Sequence, residues 1–193
     1  MARIGLKGLT YAPITGGGDG SALTYSAGTT RAGLMMKADV TIEREDVKQF
    51  GDNAMVEHAN GVTGGTIKLE LTRLADTDKA ALLGYTTATG NILKVVDADA
   101  PYVGFGYITK EIANGVISYI GYWYHKVQFG MDSDSAETKG ENSAFQSVNL
   151  TGSIMGVQLT SGGAMEFYMT KSDATEAAIR TWLNGLAGIS ATT

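Results

Sequence analysis

Residues 36–44 read Met36-Lys37-Ala38-Asp39-Val40-Thr41-Ile42-Glu43-Arg44, with an apolar side chain at every second position as far as Ile42. In an extended strand successive side chains point to opposite faces, so this pattern predicts a strand with one apolar and one wet face. Thr66 to Leu74 repeats it, with Ile67, Leu69 and Leu71 on one side and Lys68, Glu70 and Thr72 on the other. Between them lies Glu45 to Gly65, a long polar excursion. It contains the turn Gly51-Asp52-Asn53 and a loop from Asn60 to Gly65. We read it as an extended hairpin projecting from the body. Its apolar points Val47, Phe50, Met55 and Val56 are too few for a core of their own and need a surface to cover them.

The following strands are aromatic. Pro101 to Glu111 carries Tyr102, Phe105 and Tyr107 with Gly104 and Gly106 between them. Asn114-Gly115 is a strong hairpin-turn signal, and Val116 to Phe129 returns. Strict alternation places Tyr119, Trp123, His125, Val127 and Phe129 on one face, and Ile120, Tyr122, Tyr124, Lys126 and Gln128 on the other. Both faces are partly apolar, which predicts cover on both sides. Gly104, Gly106 and Gly121 leave room beside large rings or permit bends. Phe145 to Val157 alternates again, and Ala164 to Thr170 is a last strand. A short helix from Asp76 closes at Gly84. A second, over 172–184, is capped by Ser172 or Asp173 and ended by Gly185, with Ala178, Ile179, Trp182 and Leu183 as its buried stripe. Residues 185–193 form a small polar tail.

This order predicts a single domain over 1–193. Its fold is mainly β, an antiparallel β-sandwich or partly open barrel with one or two flanking short helices. Gly16 to Gly20 is a loop between the first strands rather than a domain linker.

Composition removes several function classes. The chain has 193 residues, 26 of them glycine, about twice the usual share, with 2 prolines and no glycine triplet period, so it is not collagen-like. With 0 cysteines it has no disulfides, thiol nucleophile or thiolate metal site. The net charge of −5 argues against gripping nucleic acid. No apolar run is long enough for a transmembrane helix, and the first residues lack the apolar stretch of a signal peptide.

The chemistry-bearing residues do not assemble into a catalytic pattern. His58 and His125 are the only histidines, in no metal-binding spacing. His58 belongs to the polar hairpin, where it suits an interface. His125, beside Trp123 and Tyr124, reads as a structural histidine. Asp132-Ser133-Asp134 opens like a calcium loop, but Glu137 stands where the turn glycine belongs and Ser143 where the terminal glutamate belongs. There is no nucleophile elbow and no phosphate-binding loop. The reading is a non-enzyme without catalytic residues, cofactor or metal.

The order of elements nevertheless resembles a known family. The residues that carry the resemblance are Gly5-Leu6-Lys7-Gly8-Leu9-Thr10-Tyr11-Ala12, the excursion after Ile42 and Ala81-Leu82-Leu83-Gly84. Tyr102-Val103-Gly104-Phe105-Gly106-Tyr107, Tyr122 to Phe129 and Thr138-Lys139-Gly140-Glu141 complete them. Together, from Ile4 to about Val157, they resemble the phi13-type major tail proteins of long-tailed bacteriophages. The individual motifs are short, and their order and spacing carry the specificity.

The resemblance implies a structural virion protein that assembles into hexameric rings. The rings would stack into the tail tube through which DNA is ejected, with strands of six subunits closing one inner barrel. It implies a virion-tail location after assembly in the bacterial host cytoplasm. The implied partners are other copies of the chain and tape-measure, tail-terminator and tail-tip proteins, with DNA passing unbound and no membrane partner. On this reading Lys37, Asp39, Thr41, Glu43, Lys68, Glu70 and Thr72 line or approach the lumen. Val47, Phe50, Asp52, Met55, Val56 and His58 of the 45–65 hairpin contact a neighbouring subunit or ring. A slightly acidic wall repels phosphate only at short range, so DNA slides past it. A tube subunit of a bacteriocin or injection particle fits the same residues. From another class, a sandwich that binds carbohydrate or a receptor through Tyr102, Tyr122 or Tyr124 is the alternative.

Overall fold

In a computed structural model the described residues are 2–26, 28–31, 35–51, 54–88, 91–93, 99–134 and 147–189. Within these, the side chains of residues 2, 31, 47–51, 54–60, 87, 88, 92, 93, 132 and 134 lie outside the description. The strands are β1 (Ala2–Gly16), β2 (Thr24–Tyr25), β3 (Thr29–Arg31), β4 (Met35–Gly51) and β5 (Ala54–Leu71). After helix α1 (Asp76–Leu83) come β6 (Thr86–Ala88), β7 (Asn91–Leu93), β8 (Tyr102–Ala113), β9 (Val116–Asp134) and β10 (Val148–Met155). Then follow β11 (Val157–Gln158), β12 (Met165–Glu166), β13 (Tyr168–Asp173) and helix α2 (Glu176–Leu186).

The main sheet is antiparallel, in the order β2-β1-β8-β9-β10-β5-β4, with β3 added to β1 and β13 to β9. The 19-residue β9 organises it. Its first half pairs with β13, from Tyr119↔Asp173 to Tyr124↔Tyr168. Its second half pairs with β10, from Lys126↔Met155 to Asp134↔Val148. One strand therefore serves two neighbours along one edge, and the sheet divides there into two layers.

The layers close on one core. It takes Ile67, Leu69, Leu71, Leu150 and Ile154 from β5 and β10, and Leu9, Tyr11, Val103, Phe105, Tyr107 and Tyr124 from β1, β8 and β9. Met35, Ala38 and Val40 of β4 and Leu6 of β1 pack at its margin. Among the described residues β4 exchanges no ladder hydrogen bonds with β1, so the sandwich stays open along that side. Leu82 and Leu83 of α1 join the same core. Complete burial contributes about 1.5–3 kcal/mol for each large apolar side chain.

A second, smaller core lies on the outer face of the β1–β8–β9 layer. There Ile179, Leu183 and Ala187 of the α2 segment pack on Ala12, Ile108 and Trp123. The three strand glycines are the condition for this. A Cβ on Gly104 would meet Trp123 Cζ2 at 2.5 Å, and one on Gly121 would meet Ile179 Cγ2 at 2.6 Å. They make room for rings, as the sequence reading expected, and also for α2, which it did not foresee.

Three local expectations need correction. Strict alternation along β9 fails between Tyr124 and Val127, where the pairing passes from Phe105↔Tyr124 to Val103↔Val127. The extra residue on β9 is a bulge. It brings Val127 and Phe129 onto the inner face with Tyr124, while Trp123 faces α2. The second helix starts later than expected, because Ser172 and Asp173 belong to β13. Thr175 is its N-cap, its Oγ1 accepting from the Ala178 amide, and Asp173 Oδ1 instead accepts from the Thr175 amide. Gly185 lies inside the helix, and the αL residue that ends the turn is Gly188, with φ +66°. Asn60 to Gly65 is not a loop but part of β5, paired to β4 from Asp46↔Asn60 to Ile42↔Gly65.

Candidate assembly surfaces

The hairpin that the sequence marked is a continuous two-stranded ribbon. β4 has 17 residues and β5 has 18. At about 3.4 Å per residue each strand is about 55–60 Å long. Its proximal part is held on both sides: β5 pairs with β10 from Gly65↔Ile154 to Leu71↔Val148. Beyond Gly65 the ribbon has no third strand among the described residues. The inner face, buried at Ile67 and Leu69, loses its cover there. Ile42 is 38% and Val62 43% exposed. β4 is also the terminal strand of the sheet, with its outer edge unpaired among the described residues.

The expected wet face is real and wider than two strands. Lys37 lies opposite Glu70 and Asp39 opposite Lys68, so opposite charges meet across the ladder. Cross-strand pairs of this kind fix register as well as adding a little stability. Thr41 pairs with Thr66, and the Thr66 hydroxyl donates to Glu43 Oε1 at 3.0 Å. Lys37 also pairs with Asp39, which raises the lysine pKa from its ordinary value. The face continues onto β10, where Asn149 lies beside Glu70 and Thr151 beside Lys68. The Ser147 hydroxyl donates to Glu70 Oε1 at 2.9 Å. Lys37, Asp39, Thr41, Glu43 and Lys68 are exposed and Glu70 half-buried, whereas Thr72 lies just past the end of β5. Two cations against three anions leave this stripe with a small negative excess.

The distal residues Val47, Phe50, Met55, Val56 and His58 belong to the paired backbone, with Lys48↔His58 and Phe50↔Met55 in register. Their side chains lie outside the described residues, and so does Asp52 altogether. The side chains of Asp132 and Asp134 also fall outside them. Among the described residues no three His, Asp or Glu side chains gather as a metal site, and no helix is long and apolar enough to cross a membrane.

Two features escaped the sequence reading. The first is a tyrosine-walled cleft of about 610 Å³ between β4 and the opposing layer. Ala38, Val40 and Ile42 form one wall, and Tyr107, Tyr122 and Tyr124 form much of the other. The Tyr107 and Tyr122 rings stack at 5.1 Å, and Arg3 sits 5.6 Å from the centre of the Tyr122 ring. Burial pushes the Tyr107 and Tyr124 hydroxyls up from the ordinary tyrosine pKa. The alternation of Tyr122 and Tyr124 was the available signal, but the β4 wall is visible only in the tertiary structure.

The second is the end of the β1–β8–β9 face that α2 leaves uncovered. Ile4 is 53% and Ile117 44% exposed there, beside Lys7 and Lys110. Nothing local in the sequence marks those isoleucines as uncovered. No family model matches the chain, and no curated protein matches it.

Proposed function

We propose that the chain is a self-assembling tube subunit, a major tail protein of a long-tailed bacteriophage. Its rings stack into the tube through which DNA passes. The observation that carries this reading is the β4–β5 ribbon: a long edge strand on a hairpin that outruns its own core. An unpaired strand edge is a template for another chain, and natural sheets without a use for one shorten, cover or break it. An isolated two-stranded ribbon is at best marginally stable in water, so a partner that covers Ile42 and Val62 stabilises it. Pairing around a ring removes the edge and places the Lys37–Glu43 and Lys68–Glu70 stripe along a shared wall. The family resemblance supplies the tube, the ring and the passage of DNA. The same geometry serves a bacteriocin or injection tube.

The tyrosines support this reading over a glycan-binding sandwich. Tyr124 is buried and Tyr122 is stacked on Tyr107, while Tyr102, 41% exposed, already holds the Lys126 ammonium 4.2 Å from its ring centre. A sugar needs an open ring face.

Electron microscopy of the purified chain at rising concentration tests the proposal. Rings or hollow tubes of uniform width are expected. A strictly monomeric species at every concentration, with a tail-tip partner supplied, would overturn it.

A further inference from the structure

We propose that the groove at the uncovered end of the β1–β8–β9 face binds a small organic anion with an apolar body, of the class of the short-chain alkyl carboxylates. The inference goes beyond the tube reading and does not depend on self-association.

The site is defined by where α2 stops. Over Ile108 and Gly121 the sheet is covered by Ile179 and Leu183. Past the helix N-terminus the same face carries Ile4, Lys110, Tyr119 and Asp173 in one cross-strand row. A groove of 230 Å³ opens there, lined by Ile4, Gly5, Lys7, Ile108, Lys110 and Tyr119. The register slips at this point, from Ile4↔Lys110 to Leu6↔Thr109, and leaves Gly5 as the extra residue. Gly5 adopts φ +82°, and a Cβ there would meet nothing within 4 Å, so the chain bends without a side chain to fill the groove.

The surroundings are basic, in a chain whose net charge is −5. Lys7 gives its ammonium to Glu176 at 2.9 Å, but Glu176 also holds Arg180 at 2.7 Å, so two cations share one carboxylate. Lys171 stands opposite Gly121 in the row of Lys7 and Ile108, and is exposed. Lys110 has no ion-pair partner among the described residues. Asp173 is engaged at the start of α2, where its Oδ1 accepts from the Thr175 amide at 3.0 Å and the Thr175 hydroxyl at 3.2 Å. Lys7, Lys110, Lys171 and Arg180 thus face only Asp173 and Glu176, and both carboxylates already have partners.

This combination selects its ligand. Ile4, 53% exposed, and Ile108 offer apolar contact to a hydrocarbon body. The unpaired ammonium of Lys110 offers a charge-assisted hydrogen bond to an anionic head. The Tyr119 phenol on the same wall is a further donor. A bare anion gains nothing from Ile4, and a neutral apolar molecule gains nothing from Lys110. The volume lies below the range of about 300–1,000 Å³ that holds drug-sized molecules, so the ligand is small.

Saturation-transfer NMR titrations test the assignment, because they read weak ligands on a monomer and on an assembly alike. The probes are hexanoate, 1-hexanol and acetate, with circular dichroism as the check on folding. Hexanoate is expected to bind saturably and about tenfold or more tightly than either of the others. Lys110→Met keeps the apolar stem and removes the charge. It should weaken hexanoate about tenfold and leave 1-hexanol within about twofold. Ile4→Ser should weaken hexanoate and 1-hexanol together. Lys7 stays unchanged throughout, since it also holds Glu176 of α2. Absence of saturable hexanoate binding overturns the proposal, as does equal binding of hexanoate and 1-hexanol. A Lys110→Met variant that binds hexanoate like the wild type also overturns it. Each of these failures leaves the tube reading standing, and a chain that never assembles leaves this site standing.

Discussion

The Tyr11 hydroxyl donates to Asp78 Oδ1 across 2.6 Å, joining the middle of β1 to the first turn of α1. Asp78 is fully buried, so this bond lies in the core rather than on the surface. It explains how a short helix without a side-chain cap at Ala75 holds its place. The helix's partial positive N-terminal end also favours an acidic side chain in that turn. Tyr11→Phe removes the donor while keeping the ring. It should cost about 1–3 kcal/mol in urea unfolding, because a buried carboxyl loses a partner. A loss below a few tenths would show that the bond does not anchor α1.

The seat of Trp123 makes a second prediction. A Cβ on Gly104 would crowd both Trp123 Cζ2 and Tyr25 Cε1 at 2.5 Å. Gly104→Ala should therefore destabilise by about 1–3 kcal/mol and shift the tryptophan emission. Gly130→Ala is the control, since its nearest neighbour, the Thr151 carbonyl oxygen, is 3.8 Å away. Equal effects from the two changes would contradict the packing argument.

His125 predicts a pH dependence. Its side chain is buried and its Nε2 has no hydrogen-bond partner among the described residues, while the Glu166 carboxylate lies 3.8 Å away. Burial lowers its pKa from the ordinary value, and Glu166 only partly opposes this. Below about pH 6.5 the unfolded chain therefore binds more protons than the folded one, and stability falls as pH falls. The loss begins near the ordinary histidine value and levels off below the depressed one. Comparing unfolding free energies at about pH 7.5 and about pH 5 in wild type and His125→Gln checks it. The wild type should lose more over that interval; identical losses would exclude His125 as the cause.

The ribbon predicts a separation of folding from assembly. Asp46 pairs with Asn60, so a short turn joining them can replace 47–59 without cutting the ladder that holds Ile67 and Leu69. The shortened chain should keep the midpoint of thermal unfolding within a few degrees, about 1 kcal/mol for this size. It should form no rings or tubes by microscopy. Normal tubes from it would remove the ribbon from the interface.

The wet stripe predicts a kinetic effect in assembled particles. Asp39→Ser with Glu43→Ser should leave assembly and DNA release intact, whereas Asp39→Lys with Glu43→Lys should slow release. Lysines gain phosphate contacts at short range, where salt screens least. Release rates measured from loaded particles decide it; unchanged rates in the lysine variant would take the stripe off the lumen.

The sequence by itself marked the alternating parts of β4, β5, β9 and β10, because period-2 alternation is a local consequence of extended backbone. It marked Lys37 to Glu43 and Lys68 to Glu70 as wet, and Ile67, Leu69 and Leu71 as buried, on that basis alone. It also marked α2 by its apolar stripe and α1 by Gly84, whose φ of +70° suits glycine. The tertiary structure decided what alternation cannot carry. A bulge at Tyr124–Val127 turned half of β9 over, since one extra residue reverses every side chain after it. Pairing with β4 made strand out of Asn60–Gly65, whose polar glycine-rich spelling reads locally as a loop. The end of α2 decided that Ile4 and Ile117 stay exposed while Ile108 does not. Exposure depends on what another element covers, and that information is nowhere in the residue itself.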